Sequence, residues 1–328
     1  MIKLGVIYGG ISTEHEVSKM SAKSVIDNLD KEKYEIHEIY INKYGKWFEN
    51  DEEIYNLIWK LKELDVVFPV LHGLRGEDGT IQGLLEMLKV PYVGCGVLAS
   101  SVGMDKVYTK IVFEKAGIAQ APYIYIKRNN EGYMIINENF EEEDFSIEKI
   151  TSKLKYPMFI KPSNSGSSVG VKKATSDQEL KMAIENAAQY DTKILVEQGI
   201  DAKEVECAIL DGKEIIASTV GEIMSAEDFY SFDAKYNIPE SKTVIPAEIT
   251  EQQIEEIRKL AVRAFKAIDG KGLSRVDFFV EKRTNKIYIN EINTMPGFTK
   301  ISMYPKLFEA VGVSYSELLD NLIQNAMK

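Results

Sequence analysis

The sequence predicts an α/β protein of three successive units, and three observations carry that reading. Strands and helices alternate over residues 1–95, a lysine-led Ser/Gly loop at Lys161–Gly170 follows an apolar strand, and a C-terminal hairpin bears Asp277, Glu291 and Asn293. A chain of 328 residues is long enough for two domains of ordinary size or three small ones. With 45% hydrophobic and 28% charged residues the composition is that of a soluble globular protein. The net charge of −11 argues against a sequence-independent grip on nucleic acid or an anionic membrane, since both need clustered Lys and Arg. Cys95 and Cys207 lie far apart and form no C-x-x-C pair, so two buried free thiols are expected. No run of 18 apolar residues occurs, which excludes a spanning helix on length. The apolar stretch from Ile2 to Tyr8 ends in Gly9-Gly10 and acidic residues, as a first strand rather than a signal peptide. A cytoplasmic location is the default expectation.

Taken in order, Lys3–Tyr8 reads as a strand and Glu14–Leu29 as a helix, with Thr13 and Glu16 spaced for a capping box. Tyr34–Ile41 is a second strand, followed by a helix over about 52–62. Asp65–Leu71 is nearly all apolar, as suits a parallel strand covered on both faces. Thr80–Leu88 is helical, and the strand ends of such a sheet are where ligands bind. From residue 96 the pattern changes: a helix over Met104–Ala116, a strand over Tyr123–Ile126, an acidic turn-rich insertion over Glu131–Lys149, a helix over Asp177–Ala188 and a strand over Lys193–Glu197. Beyond it come strands at Val205–Leu210 and Lys213–Val220, a long polar loop over about 225–243, a helix over Glu251–Asp269, the hairpin Ser274–Glu281 with Lys286–Asn290, and a closing helix over Ser314–Met327.

In Lys161-Pro-Ser-Asn-Ser-Gly-Ser-Ser-Val-Gly170 a strand delivers one lysine, and the backbone then becomes permissive and rich in donors, as a phosphate-covering loop requires. No Gly-Lys-Ser/Thr closes it, so it is not a Walker A loop. On the hairpin, period-two geometry puts Glu291 and Asn293 on one face, and pairing brings Asp277 within reach. Carboxylate and amide oxygens without His or Cys suit Mg²⁺.

Together Tyr156–Lys161 with its loop, Leu195-Val-Glu-Gln198, Ser274-Arg-Val-Asp277 and Asn290-Glu-Ile-Asn293 resemble the ATP-grasp superfamily, in which two α+β subdomains clamp ATP. Gly9-Gly-Ile-Ser-Thr-Glu-His-Glu-Val-Ser18, Leu71-His-Gly-Leu-Arg-Gly-Glu-Asp-Gly79, Gly103-Met-Asp-Lys106, Asp233-Ala-Lys-Tyr236 and Asn293-Thr-Met-Pro-Gly297 are similar to the D-alanine–D-alanine ligase family, nearly end to end and in order. The resemblance implies a substrate domain over 1–95, a small ATP-grasp subdomain over 96–195 and a C-terminal one over 196–328. It also implies two D-alanine molecules as substrates, ATP with two Mg²⁺ ions (Mn²⁺ as a substitute), an acyl-phosphate intermediate, a dipeptide product for the cell wall, and a homodimer.

By the same resemblance Asp277, Glu291 and Asn293 hold the metal. Lys106 and Lys161 neutralise nucleotide phosphates, Ser168 lies in the covering loop, and Glu197, Gln198 and Ile200 lie along adenine, with Glu204 on the ribose. Glu14 holds the first ammonium and, with Ser167 and Tyr236, ties two loops over the site; His72 lies near that substrate. Arg275 and the Gly297 N–H stabilise the tetrahedral oxyanion. Ser302 and Met303 line the second-substrate pocket, and Lys235 orients the transferring phosphate. The family usually has Lys where Gln198 stands, and Lys300-Ile301 departs from a Ser-His pair in part of it. Ligases that join D-alanine to D-lactate or D-serine are the nearest rivals. By the same resemblance Tyr236 favours an amine as nucleophile over D-lactate, and the apolar Met303 favours D-alanine over D-serine. A non-catalytic nucleotide sensor would have lost Asp277, Glu291, Asn293 or Lys161, and a biotin-dependent carboxylase does not fit the Gly9–Ser18 match.

Overall fold

The computed structural model describes residues 1–224 and 242–328. Its first part holds β1 (Ile2–Gly9), α1 (His15–Asn28), β2 (Tyr34–Ile41), β3 (Trp47–Glu49), β4 (Glu52–Glu53), α2 (Leu57–Lys62), β5 (Val66–Pro69) and α3 (Thr80–Leu88). The sheet order is β4-β3-β2-β1-β5, with β1 parallel to both β2 and β5. Val66, Val67 and Phe68 are fully buried, as an apolar strand covered on both faces should be. The helix read over 52–62 begins only at Leu57, because Asn50 and Asp51 (φ 50° and 63°) turn the chain back and pair β3 with β4. The Thr13 capping box does not form: Glu14 occupies the cap of α1 without a side-chain cap bond, its N–H bonds Ser12 Oγ (3.1 Å), and Glu16 pairs with Lys19 (3.0 Å).

Next come α4 (Val97–Met104), α5 (Lys106–Lys115), β6 (Tyr123–Asn129), β7 (Gly132–Ile136), β8 (Glu142–Asp144), α6 (Ile147–Lys153), β9 (Met158–Pro162), β10 (Lys172–Ala174), α7 (Asp177–Ala187) and β11 (Lys193–Gln198). The second sheet runs β10-β9-β11-β6-β7-β8. The acidic insertion is thus mostly ordered as β7, β8 and the start of α6. The single helix expected over Met104–Ala116 is broken at Asp105, whose extended backbone (ψ 99°) lets its carboxylate cap α5 at the Tyr108 N–H.

The third sheet, β14-β13-β12-β15-β16, is antiparallel and comprises β12 (Ala202–Asp211), β13 (Ile215–Met224), β14 (Lys242–Val244), β15 (Leu273–Glu281) and β16 (Ile287–Asn293). Among the described residues three helices accompany it: α8 (Glu251–Ala267), α9 (Met303–Glu309) and α10 (Tyr315–Ala326). Thr250 and Ser314 form capping boxes at the starts of α8 and α10.

Packing joins what the chain order separates. Leu4, Val6 and Phe68 of the first sheet share one core with Phe298, Tyr304, Phe308 and Leu318–Leu322, and the Phe68 and Phe298 rings meet edge to face at 5.4 Å. Ala99 and Phe113, from α4 and α5, pack in the core of the third sheet with Phe265 and Val276. The two ends of the chain therefore meet, and the ends of all three sheets come close to one another. Cys95 and Cys207 are buried and free.

Candidate active site

The Ser/Gly loop is fastened at its base before it reaches outward. Asp105 accepts from Ser163 Oγ (2.5 Å) and Asn164 Nδ2 (3.3 Å) and pairs with Lys193, while the Lys106 and Val107 N–H groups bond the Ser163 carbonyl and hydroxyl. Burial would raise the Asp105 carboxyl, but Lys193 and Ser163 outweigh it and hold it below its ordinary value. Lys106 Nζ donates to the Ser165 carbonyl (2.7 Å) and stands 4.0 Å from Glu291 Oε2. At the tip, Ser167 and Ser168 adopt left-handed φ values of 47° and 60°, uncommon for residues with a side chain and typical of constrained functional loops.

The turn directs Ser167 onto the first sheet's ligand edge, where its hydroxyl donates to Glu14 Oε1. Glu14 is 8% exposed, and its carboxylate is flanked by two glycines, so that a side chain at either would displace it. A Cβ at Gly73 would stand 2.4 Å from Glu14 Oε2, and one at Gly166 2.5 Å from the same atom. Glu77 comes to this place from the other side of Gly73, whose N–H bonds Glu77 Oε2 at 2.9 Å. Burial and then the charge of Glu14 push the Glu77 carboxyl upward, to about 8. His72, 4% exposed, contacts Ser21 Oγ through Nε2 (2.9 Å) and the Met295 carbonyl through Nδ1 (3.2 Å). Burial lowers its pKa against the opposing charge of Glu14, so the ring is neutral. Nδ1–H then donates to the carbonyl and Nε2 accepts from the serine.

On the third sheet one face gathers the charged groups. Arg275 forks onto Asp277 with two bonds of 2.7 Å and lies 3.0 Å from Glu206 on β12. Asp277 faces Glu291 across the hairpin, and Asn293 Nδ2 bonds Asp277 Oδ2 at 3.1 Å. Burial opposes the Arg275 charge, but Asp277 and Glu206 outweigh it and raise its pKa. Among the described residues no three His, Cys, Asp or Glu side chains stand in a metal-binding group. Two carboxylates and an amide, all offering oxygen, nevertheless fit a hard divalent ion, and a carboxylate already in an ion pair retains further lone pairs.

Lys161 leaves β9 beside the second sheet's Glu197, 2.6 Å from its Oε2, and Lys110 of α5 lies 2.5 Å from Oε1. Burial would raise the Glu197 carboxyl; the two ammonium groups reverse that and hold it at about 2. The same carboxylate raises Lys161 against the opposing effect of burial. Gly103, Lys106, Lys110, Lys161, Asn290 and Glu291 line one cleft between the second and third sheets. Gln198 stands at the end of β11, where its Oε1 accepts from the Lys155 N–H (2.8 Å), and Ile200 follows it. Glu204 lies on β12, paired with Phe279, near enough for its charge to act on Lys161.

Ser302 Oγ accepts from the Thr299 N–H (3.0 Å), and a Cβ on Gly297 would stand 2.7 Å from it. Met303 is 5% exposed and presses its Cε toward Gly221 in the core, so its contact in this structure is packing. Lys235 and Tyr236 lie outside the described residues. A cleft of about 430 Å³ between Lys33 and Asp320 contains none of these groups.

The structure thus gathers Glu14, Ser167 and His72 with Glu77, sets Gly297 beside Ser302, and gathers Lys106, Lys161, Glu197 and Glu291 with Arg275, Asp277 and Asn293; the groups adjoin, since the Arg275 charge acts on both His72 and Glu77. Sequence reasoning missed Lys110, Glu206 and Glu77. Lys110 stands one helical turn after Lys106, and Glu206 two strand residues after Glu204, so periodicity alone flags both.

One mixed and two antiparallel sheets, a Ser/Gly loop and an acidic hairpin are the parts of an ATP-grasp enzyme, and similar solved structures bear that out. A crystal structure of the VanG D-Ala:D-Ser ligase from Enterococcus faecalis superposes with a TM-score of 0.84 at 37% identity, covering 99% of both chains. The D-alanine-D-alanine ligase of Coxiella burnetii gives 0.82 at 32% identity, covering 100% of this chain and 95% of that one. Models of the D-ala D-ala ligase N-terminus and C-terminus match residues 3–60 with 56–95 and 112–324. A D-alanine--D-alanine ligase of Acetivibrio thermocellus is 49% identical over 98% of this chain and 95% of its own length. That of Ruminiclostridium cellulolyticum is 47% identical over 99% and 95%. The chain belongs to the D-alanine–D-alanine ligase family.

Proposed function

We propose that the chain joins two molecules of D-alanine at the expense of ATP, releasing ADP, phosphate and D-alanyl-D-alanine for peptidoglycan precursor synthesis. The observation that carries this reading is the contact of Ser167 with Glu14, because it lays the phosphate-covering loop directly on the amino-acid edge of the first sheet. In this reading Glu14 holds the ammonium of the first D-alanine, and the carboxylate of that D-alanine takes the γ-phosphoryl group from ATP, leaving ADP. Lys106 and Lys161 neutralise the nucleotide phosphates from one side. Asp277, Glu291 and Asn293 would hold two Mg²⁺ ions, or Mn²⁺ in their place, which when bound offset phosphate charge and polarise the transferring group. The amine of the second D-alanine, its carboxylate oriented by Ser302, attacks the acyl carbon. Arg275 and the Gly297 N–H stabilise the oxyanion, and phosphate leaves. Loop closure by Ser167 and Tyr236 excludes water that would hydrolyse the acyl phosphate. Adenine lies along Glu197, Gln198 and Ile200 with ribose on Glu204, and Lys235 meets the transferring phosphate.

The division of labour is a substrate domain over 1–95, a small ATP-grasp subdomain over 96–195 and a C-terminal subdomain over 196–328. The protein works in the cytoplasm as a homodimer; no described helix is long and apolar enough to cross a membrane. Exposed Ile58, Trp59 and Met87 on the adjoining helices α2 and α3 support the pairing of two copies.

Phosphate release from ATP and Mg²⁺ with D-alanine, L-alanine, D-serine or D-lactate, singly and in pairs, tests the reading when products are identified by mass. Release with D-alanine alone, giving the dipeptide, is expected. The likeness to a D-Ala:D-Ser ligase makes D-serine the informative competitor; turnover that requires it would move the chain to that specificity. Gly166→Ala should leave the melting temperature unchanged and raise the KM for the first D-alanine about tenfold or more. Its new Cβ and Glu14 Oε2 cannot share 2.5 Å. An unchanged KM would mean that the loop does not close on Glu14.

A further inference from the structure

Lys110 belongs to none of the motifs, yet it is placed at the centre of the nucleotide wall. Its side chain is 4% exposed and that of Glu197 is 3% exposed, and the two stand 2.5 Å apart. The other carboxylate oxygen is occupied by Lys161 at 2.6 Å. One buried carboxylate therefore serves two ammonium groups from different elements, Lys110 of α5 and Lys161 of β9. Lys110 Nζ also lies 5.2 Å from the centroid of the Tyr123 ring, and its backbone carbonyl accepts from Gln120 Nε2 at 2.8 Å, so the residue has little freedom to follow a ligand. Lys161, with a side chain 14% exposed, is the more open of the two, and both line the cleft that contains Lys106 and Glu291.

Buried ion pairs are poor stabilisers: an apolar pair of similar volume often serves a fold as well or better. Three buried charges retained in the wall of a ligand cleft therefore call for an explanation in binding. A lysine that meets a nucleotide phosphate must loosen its hold on whatever carboxylate it rests against. A buried carboxylate deserted by its only partner is strongly unfavourable. A second, immobile ammonium on the opposite oxygen removes that obstacle.

We propose that Lys110 is a positioning residue for nucleotide binding: it keeps Glu197 neutralised so that Lys161 can turn from the carboxylate to an ATP phosphate oxygen. The inference rests on the reading of this cleft as the ATP site. Lys110 touches no substrate in this role and acts only through Glu197.

The test is isothermal titration calorimetry of a non-hydrolysable ATP analogue with Mg²⁺ against the full chain and its variants, with steady-state kinetics alongside. Lys110→Met is expected to weaken analogue binding and raise the KM for ATP about tenfold or more, with the KM for D-alanine within about twofold. Lys110→Arg, which keeps the charge, should restore binding to near the parent value. In a Glu197→Gln background the Lys110→Met substitution should have little further effect, because no buried anion remains to be neutralised. If Lys110→Met does not fold, Lys110→Gln takes its place with the same expected loss. Parent-like analogue binding by the uncharged variant overturns the proposal. So does an equal loss with and without Glu197, or a joint rise in the KM for ATP and for D-alanine, which is what a merely structural lysine would produce. Failure of the parent protein to bind the analogue overturns the ATP reading of the cleft, and this inference with it.

Discussion

Lys161→Ala is expected to lower phosphate release by about three orders of magnitude or more while moving the melting temperature by only a few degrees. The loss in rate follows if, as proposed, Lys161 is a fixed cation beside the nucleotide phosphates, where a low-dielectric cleft makes each charge count. The mild structural effect follows from Lys110, which stays 2.5 Å from Glu197 after Lys161 is gone, so no buried anion is stranded. Phosphate release and a thermal melt on the same sample check both halves. Turnover within tenfold of the parent would remove Lys161 from the chemistry, and a collapse in melting temperature would show that Lys110 cannot neutralise Glu197 alone.

Arg275→Met should behave in the opposite way, losing turnover and about 3–5 kcal/mol of stability together. Arg275 is the cation between Asp277, bonded twice at 2.7 Å, and Glu206 at 3.0 Å, in a group whose side chains are 15%, 12% and 7% exposed. Taking it away leaves two carboxylates facing each other across β12 and β15 with their main counter-charge missing. Millimolar Mg²⁺ should recover part of the lost stability, since a divalent ion offsets the same charge, and should recover no turnover if Arg275 is the proposed oxyanion donor. A melt with and without Mg²⁺ checks this; unchanged stability without Mg²⁺ would mean that the forked pair contributes nothing to the fold.

The two variants part because of two neighbours that no motif contains, Lys110 beside Glu197 and Glu206 beside Arg275. Lys161 could be picked out from an apolar strand running into a Ser/Gly loop, and Asp277 with Glu291 and Asn293 from period-two spacing on a hairpin. Nothing in either pattern shows that Lys161 shares its carboxylate with Lys110, or that Asp277 rests on Arg275 and not on solvent. Glu14 was legible as an acid at a helix start. That its carboxylate sits between Gly73 and Gly166, where a Cβ at either would displace it, is a statement about two loops 93 residues apart in the chain. Met303 was legible only as an apolar residue after Ser302; that its Cε presses toward Gly221 in the core is again a long-range contact.

Local errors have the same origin. Thr13 and Glu16 have the spacing of a capping box, but the cap position belongs to Glu14, and Glu16 bonds Lys19 instead. One helix was read through Met104–Ala116, but the Asp105 carboxylate is needed by Ser163, Asn164 and Lys193, and the extended backbone that delivers it breaks the helix.

By itself the sequence determined the alternation of strands and helices, the apolar parallel strands, the phosphate-covering loop, the acidic hairpin and the family, because all of these are periodic or contiguous and depend on residues close in the chain. Only the tertiary structure decided that the C-terminal helices complete the core of the first sheet, that Glu14 sits between Gly73 and Gly166, and which ion each buried charge answers to. Those are long-range pairings, and their energies depend on burial and on distances that no spacing along a chain encodes.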